Sequence, residues 1–275
     1  MKLAEKLHDP SLGQPLVMGI LNVTPDSFSD GGKFNSMEAL KQQVEKMSNE
    51  GVDIIDIGGE STRPGAKEIG LQEELDRVLP AIEVVKTVTD AYISIDTYKP
   101  EVMTESIKLK VDMINDVNAL QAEGAIEVVS GSDVVACLMH KQGKPKDMQL
   151  SPEYENGSFE EVYQFLSEHS MRCLDKGIRS KNIVIDPGFG FGKKLHHNVE
   201  LFENLEAFSE LQYPLLVGVS RKTMIGELLN GVSVEERMIG SVSAAVLASL
   251  KGAKILRVHD VKETMQAVKI AMALL

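Results

Sequence analysis

Short apolar runs at residues 16–21, 54–57, 93–95, 113–114, 134–139, 183–185, 215–219 and 255–258 alternate along the chain with longer amphipathic stretches at 36–49, 71–88, 100–110, 159–176, 234–250 and 261–274. The runs are rich in Ile, Val and Leu without a polar face, as expected of strands covered on both sides. Ser36 ahead of Met37 and the Lys99-Pro100 pair read as helix starts. No Pro/Ser-rich linker or charge run interrupts the alternation. The pattern predicts an α/β chain folded as a single (β/α)8 TIM barrel, one domain spanning residues 1–275. A doubly wound open sheet is the alternative, but such sheets usually have fewer strands.

Nearly every apolar run ends on its C-terminal side in a polar side chain or a Gly-rich loop. These ends are Asn22, Gly58-Gly59-Glu60, Asp96, Asn115-Asp116, His140, Asp186, Ser220-Arg221-Lys222 and His259-Asp260. In a parallel barrel all the C-terminal strand ends open onto one face, where active sites sit. A single Asn or Asp there reads equally well as the cap of the next helix. Eight such ends together point to a shared mouth.

Composition narrows the partners. With 43% hydrophobic and 25% charged residues the 275-residue chain is an ordinary globular one. Its 29 basic and 41 acidic residues leave a net charge of −12, which argues against a general nucleic-acid or anionic-membrane surface. Two cysteines without paired spacing exclude a disulfide framework and fit a reducing compartment. The first apolar run is too short for a membrane span and has no cleavage pattern, so a cytoplasmic, soluble protein is expected.

Five segments carry the candidate chemistry. The loop after the first strand reads NVTPDSFSDGG, with Phe28 exposed unless it closes over something. GGESTRPG brings Thr62 as a hydroxyl, Arg63 as a fork donor for phosphate or carboxylate, and Pro64. DPGFGFGK matches neither a P-loop nor a dinucleotide fingerprint. Its alternating glycines suggest backbone in close approach to a flat ligand, with Phe189 and Phe191 as a phenyl wall. VSRKTMIG runs a strand into a helix start, where Arg221, Lys222 and Thr223 suit an anion. Arg257 and His259, two apart on the last strand, face one side as half of a diphosphate clamp. Asp96, Asn115, Asp186 and Lys222 suit a flat heterocycle, and Asn22, Arg63, Arg257 and His259 suit a polyphosphate with Mg²⁺. Displacement of diphosphate from a heterocycle by a small carboxylate-bearing nucleophile fits this set.

NVTPDSFSDGG, GGESTRPGA, IDTYKPEV, INDV, DPGFGFGK, SRK and RVHDV, in this order, resemble the signature blocks of the bacterial dihydropteroate synthase family over essentially the whole chain. The resemblance implies a (β/α)8 barrel, commonly a homodimer. It implies a Mg²⁺-assisted transferase condensing 6-hydroxymethyl-7,8-dihydropterin diphosphate with 4-aminobenzoate in folate synthesis. Pterin contacts are implied for Asp96, Asn115, Asp186 and Lys222, and diphosphate contacts for Asn22, Thr62, Arg63, Arg257 and His259, with Asn22 also near the metal. Aminobenzoate is implied beside Phe28, Arg63, Pro64, Phe191 and Lys222, its carboxylate at Thr223. Arg63, Asp96, Lys222, Arg257 and His259 form the implied catalytic set. The chain departs from the family at Thr223, usually Ser, and at Asn118-Ala119, where Arg or Ser is frequent. The expected chemistry is a dissociative displacement. A pterin-dependent methyltransferase and a non-catalytic pterin-binding barrel are the alternatives.

Overall fold

A computed structural model describes residues 1–24, 32–61, 68–143 and 151–274. Eight parallel strands close into a barrel in sequence order. They are β1 (Leu16–Asn22), β2 (Ile54–Gly58), β3 (Tyr92–Asp96), β4 (Met113–Asp116), β5 (Val135–Met139), β6 (Ile183–Asp186), β7 (Leu215–Val217) and β8 (Ala253–Val258). The helices α2 (Gly32–Asn49), α3 (Leu71–Val88), α4 (Pro100–Lys108), α5 (Ala125–Ser130), α6 (Ser158–Asp175), α7 (Leu195–Glu203), α8 (Thr223–Leu228), α9 (Met238–Leu250) and α10 (Val261–Leu274) surround it, and α1 (Leu3–Leu7) precedes β1. No described helix is long and apolar enough to cross a membrane.

Several element ends differ from the sequence expectation, each for a local reason. The second helix begins at Gly32 instead of Ser36, because nothing between them breaks a helix. Pro100 does open α4, where its missing N–H is harmless, but the helix stops at Lys108 ahead of a left-handed Lys110 at φ 58°. β7 ends at Val217, not Val219, after a register irregularity between Leu215 and Leu216. Residues 235–237 form a 3₁₀ turn before α9 instead of its first turn.

The strands hide a period of two beneath their uniform apolarity. One parity, including Val17, Ile55, Ile57, Ile93, Ile95, Ile114, Ala136, Leu138, Ile185 and Val217, packs outward against the helices. The other parity fills the lumen. Its lower layer is Leu16, Met18, Ile54, Met113, Val135, Val184, Leu216 and Ile255, closed from beneath by Leu3, Ala4 and Leu7 of α1. Each such side chain stabilises the fold by about 1.5–3 kcal/mol. Continuing up the same parity, the lumen turns polar, with Asp56, Ser94, Asp96, Asn115, Asp186 and Arg257. The apolar floor therefore carries a charged upper layer that opens at the C-terminal strand ends.

Candidate functional site

Strand register sets the mouth. Asn22 pairs with Gly58, Gly58 with Asp96 and Asp96 with Asn115, so four neighbouring strands deliver these positions in one row. Asp56, one lumen layer below, is fully buried and accepts hydrogen bonds from Ser94 Oγ (2.6 Å) and Asn115 Nδ2 (3.2 Å). Arg257 reaches over it from β8. Its Nε donates to Asp56 Oδ2 at 2.6 Å and its Nη2 to Asp96 Oδ2 at 2.7 Å. A desolvated guanidinium shared by two carboxylates is strongly held. Burial opposes the charge on Arg257, but Asp56 and Asp96 outweigh it and raise its pKa.

Asp96 is 8% exposed, and among the described residues its Oδ1 has no hydrogen-bond partner. Burial pushes this carboxyl up to about 7, against the pull of Arg257 and with the charge of Asp56 adding to the rise. A buried, unpaired acceptor is costly unless a ligand completes it. Across the mouth Asp186 accepts from Gly188 N–H at 2.7 Å, and burial raises its pKa while Lys222 opposes the rise. Lys222 donates to the Phe189 carbonyl and places its ammonium 4.6 Å from the centre of the Phe191 ring. Burial pulls Lys222 down to about 8, with Asp186 resisting.

The structure thus brings Asp96, Asn115, Asp186, Lys222, Phe191, Arg257 and Asn22 to one mouth. Phe28, Thr62, Arg63 and Pro64 lie outside the described residues. His259 follows the end of β8 instead of lying in it, and its Nδ1 is 3.1 Å from Ser220 Oγ. Thr223 is exposed at the first position of α8. Arg221 adds no spare charge to the anion site. It forms a two-point pair with Asp260, Nε to Oδ2 at 3.0 Å and Nη2 to Oδ1 at 2.5 Å.

Two expectations are corrected. A Cβ on Gly188 would stand 1.9 Å from the His140 carbonyl oxygen, and one on Gly192 2.3 Å from that of Gln142. With φ of +69° and +65°, these glycines are required by backbone packed on backbone, not by a flat ligand. Phe189 is fully buried in the core beneath them, so only Phe191 of the pair faces the mouth. Asp116, one residue past Asn115, closes its own loop and caps no helix, since α5 begins only at Ala125. Its oxygens accept from the N–H groups of Asn118 (2.7 Å) and Leu120 (2.8 Å). Asp56, conversely, was missed because it lies inside a strand instead of at its end. The signal is its parity in IIDIG, two before Gly58 and level with Ser94.

A family model described as pterin binding enzyme matches residues 18–259. The chain is 49% identical over 275 residues to the dihydropteroate synthase of Escherichia coli (strain K12), covering 100% of this chain and 97% of that one. With the dihydropteroate synthase of Haemophilus influenzae the identity is 48% over 273 residues, 99% and 98% of the two chains. The solved Yersinia pestis dihydropteroate synthase with a sulfonamide drug complex superposes with a TM-score of 0.89 at 49% identity, covering 96% of this chain and 95% of that chain. The Xanthomonas albilineans dihydropteroate synthase with 4-aminobenzoic acid gives 0.89 at 44% identity, covering 95% and 93%.

The Arg257 pairing predicts that Arg257→Ala leaves two buried carboxylates uncompensated and lowers unfolding free energy in urea by about 3–5 kcal/mol. Adding Asp56→Asn should restore part of the loss. Additive losses in the double variant would refute the pairing. The raised Asp96 carboxyl sets a second expectation. Between about pH 4, where an unfolded carboxyl titrates, and about 7, the folded chain keeps a proton the unfolded chain has released. Stability contributed here is complete below that window and falls as pH rises through it. Asp96→Asn should flatten this slope in pH-resolved denaturation, and an unchanged slope would exclude Asp96 as its source.

Proposed function

The chain belongs to the pterin-binding enzyme family and, within it, to the dihydropteroate synthases, and from that premise we propose how its residues condense 6-hydroxymethyl-7,8-dihydropterin diphosphate with 4-aminobenzoate. The pterin lies over the lumen, held by Asp96, Asn115, Asp186 and Lys222. The observation carrying this is Asp96, whose buried Oδ1 lacks a partner where a ring N–H donor would complete it. Asn22, Thr62, Arg63, Arg257 and His259 receive the diphosphate. Arg257 uses Nε and one Nη2 proton on its two carboxylates, which leaves donors for a phosphate oxygen. Aminobenzoate lies beside Phe28, Arg63, Pro64, Phe191 and Lys222, with its carboxylate toward Thr223.

The bond from the pterin methylene carbon to the diphosphate oxygen breaks first. Arg63, Arg257 and His259 stabilise the departing charge. The cation left on the pterin is delocalised, and the carboxylates of Asp96 and Asp186 offset it. The neutral arylamine nitrogen then forms the new C–N bond and releases a proton. An aniline nitrogen is already unprotonated at neutral pH, so no strong general base is required.

Magnesium fits this mouth in one way. Among the described residues no group of three His, Cys, Asp or Glu side chains could hold a metal. Asn22 Oδ1 lies at the mouth, 3.6 Å from where a Cβ on Gly58 would stand. Asn22 would hold Mg²⁺ through this amide oxygen, a hard donor of the kind that ion prefers. Such an ion neutralises leaving-group charge when bound.

The proposed assembly is a homodimer, supported by exposed Ile239, Leu247 and Leu250 on α9 and Ile270 and Leu274 on α10, and the two free, buried cysteines fit a reducing, cytoplasmic setting. The terminal helix buries Val261 and Val268 while exposing Ile270 at 62% and Leu274 at 82%. Light scattering should give twice the chain mass, and Ile239→Glu should shift it to the monomer. A wild-type monomer at micromolar concentration would remove the dimer from this proposal.

The reaction is tested by diphosphate release with and without 4-aminobenzoate. Release and dihydropteroate formation should depend on both substrates. Pterin binding without amine-dependent release would favour a non-catalytic barrel, and methyl transfer from a methylated pterin would favour the methyltransferase.

A further inference from the structure

A lysine that the reaction does not use is sealed beneath the aminobenzoate side of the mouth. Lys193 is 3% exposed and forms no salt bridge among the described residues. Its side-chain nitrogen instead meets the carbonyl oxygens of Gly188 (2.9 Å), Phe191 (3.2 Å) and His140 (3.3 Å), and His140 Nδ1 at 3.0 Å. Three of these partners are backbone acceptors, and the role of His140 Nδ1 in the fourth contact follows its tautomer. Burial pulls His140 down to about 2, with Lys193 adding to the fall, which keeps that ring neutral. Burial pulls Lys193 well below the ordinary lysine value, the nearby Asp186 charge opposes the fall, and backbone carbonyls from two loops take the place of its water.

The two loops are those that meet where a methyl group cannot fit. Gly188 and Gly192 press on the carbonyls of His140 and Gln142, and Lys193 fastens the same seam from inside. The turn so fastened presents Phe191 to the Lys222 ammonium and offers the Phe189 carbonyl to it as an acceptor. A third tether comes from outside, where Tyr154 OH donates to the Gly192 carbonyl at 2.8 Å. The strand-five loop, the strand-six turn and the Lys222 side chain thus form one connected unit.

We propose that Lys193 is a positioning residue for the second substrate: its side-chain nitrogen locks the 188–192 turn onto the loop after β5 and so sets Phe191, which the pterin does not use, for 4-aminobenzoate. The inference rests on the functional reading above. Because diphosphate leaves before the amine attacks, a loosened turn weakens capture of the amine more than it slows bond breaking at saturation.

The experiment is steady-state kinetics of full-length Lys193→Met, a substitution of similar length without donors, together with calorimetric binding of the pterin diphosphate. A displaced contact of this kind is expected to raise KM for 4-aminobenzoate by about tenfold, with kcat and the Kd of the pterin diphosphate changed by less than about threefold. A lower melting temperature with all three constants unchanged would make Lys193 a core residue only and overturn the proposal. So would equal losses for both substrates. If Lys193→Met does not fold, Tyr154→Phe relaxes the same turn from outside and should raise the aminobenzoate KM by about threefold. A folded Tyr154→Phe with a wild-type KM would then overturn it. Absence of amine-dependent release from the wild-type protein would reject the functional reading itself, a result distinct from an unmoved KM in an active enzyme.

Discussion

A guanidinium inside a barrel lumen has to be neutralised there, and much of this mouth follows from that requirement. Arg257 enters from β8 and finds Asp56 and Asp96 on β2 and β3. Asp56 in turn engages Ser94 and Asn115, so one buried carboxylate connects four strands. The arrangement leaves Asp96 with one oxygen satisfied and one open. The charged layer is consequently both a fastening of the barrel and a recognition surface. Its unused acceptor is the part addressed to a ligand.

The opposite side of the mouth is organised by packing instead of charge pairing. Two glycines let the loops after β5 and β6 touch backbone to backbone, and the Lys193 side-chain nitrogen fills the polar gap between them. Lys222 is drawn toward the resulting turn by the Phe189 carbonyl and the Phe191 ring. The acidic balance of the chain, −12 overall, says little about such a site. Lys222 and Arg257 are set among Asp56, Asp96 and Asp186, where local geometry outweighs the mean field.

Polar residues at strand ends do not all serve one purpose. Asp116 and Arg221 looked as well placed for chemistry as Asn115 and Lys222. Asp116 is committed to two backbone N–H groups, and Arg221 to Asp260. Adjacent residues on a strand face opposite sides, so Asn115 enters the lumen while Asp116 turns into its own loop. Loop closure, ion pairing and ligand contacts draw on the same side chains, and a linear pattern does not separate them. Phe189 and Phe191 divide in the same way, one into the core and one toward the mouth.

The amino-acid sequence alone determined the closed parallel barrel, because eight short apolar runs separated by helical stretches have few other ways to bury both strand faces. It also determined which segments meet at the mouth, since parallel strands bring all their C-terminal ends to one side. It did not reveal the role of Asp56, the engagement of Arg257, or the seam held by Lys193. Those depend on partners far away along the chain, 201 residues for Asp56 and Arg257 and 53 for His140 and Lys193. Lumen pairing between such positions is set by strand register and barrel closure. Only the tertiary structure decides which charges are neutralised from within and which acceptor stays open.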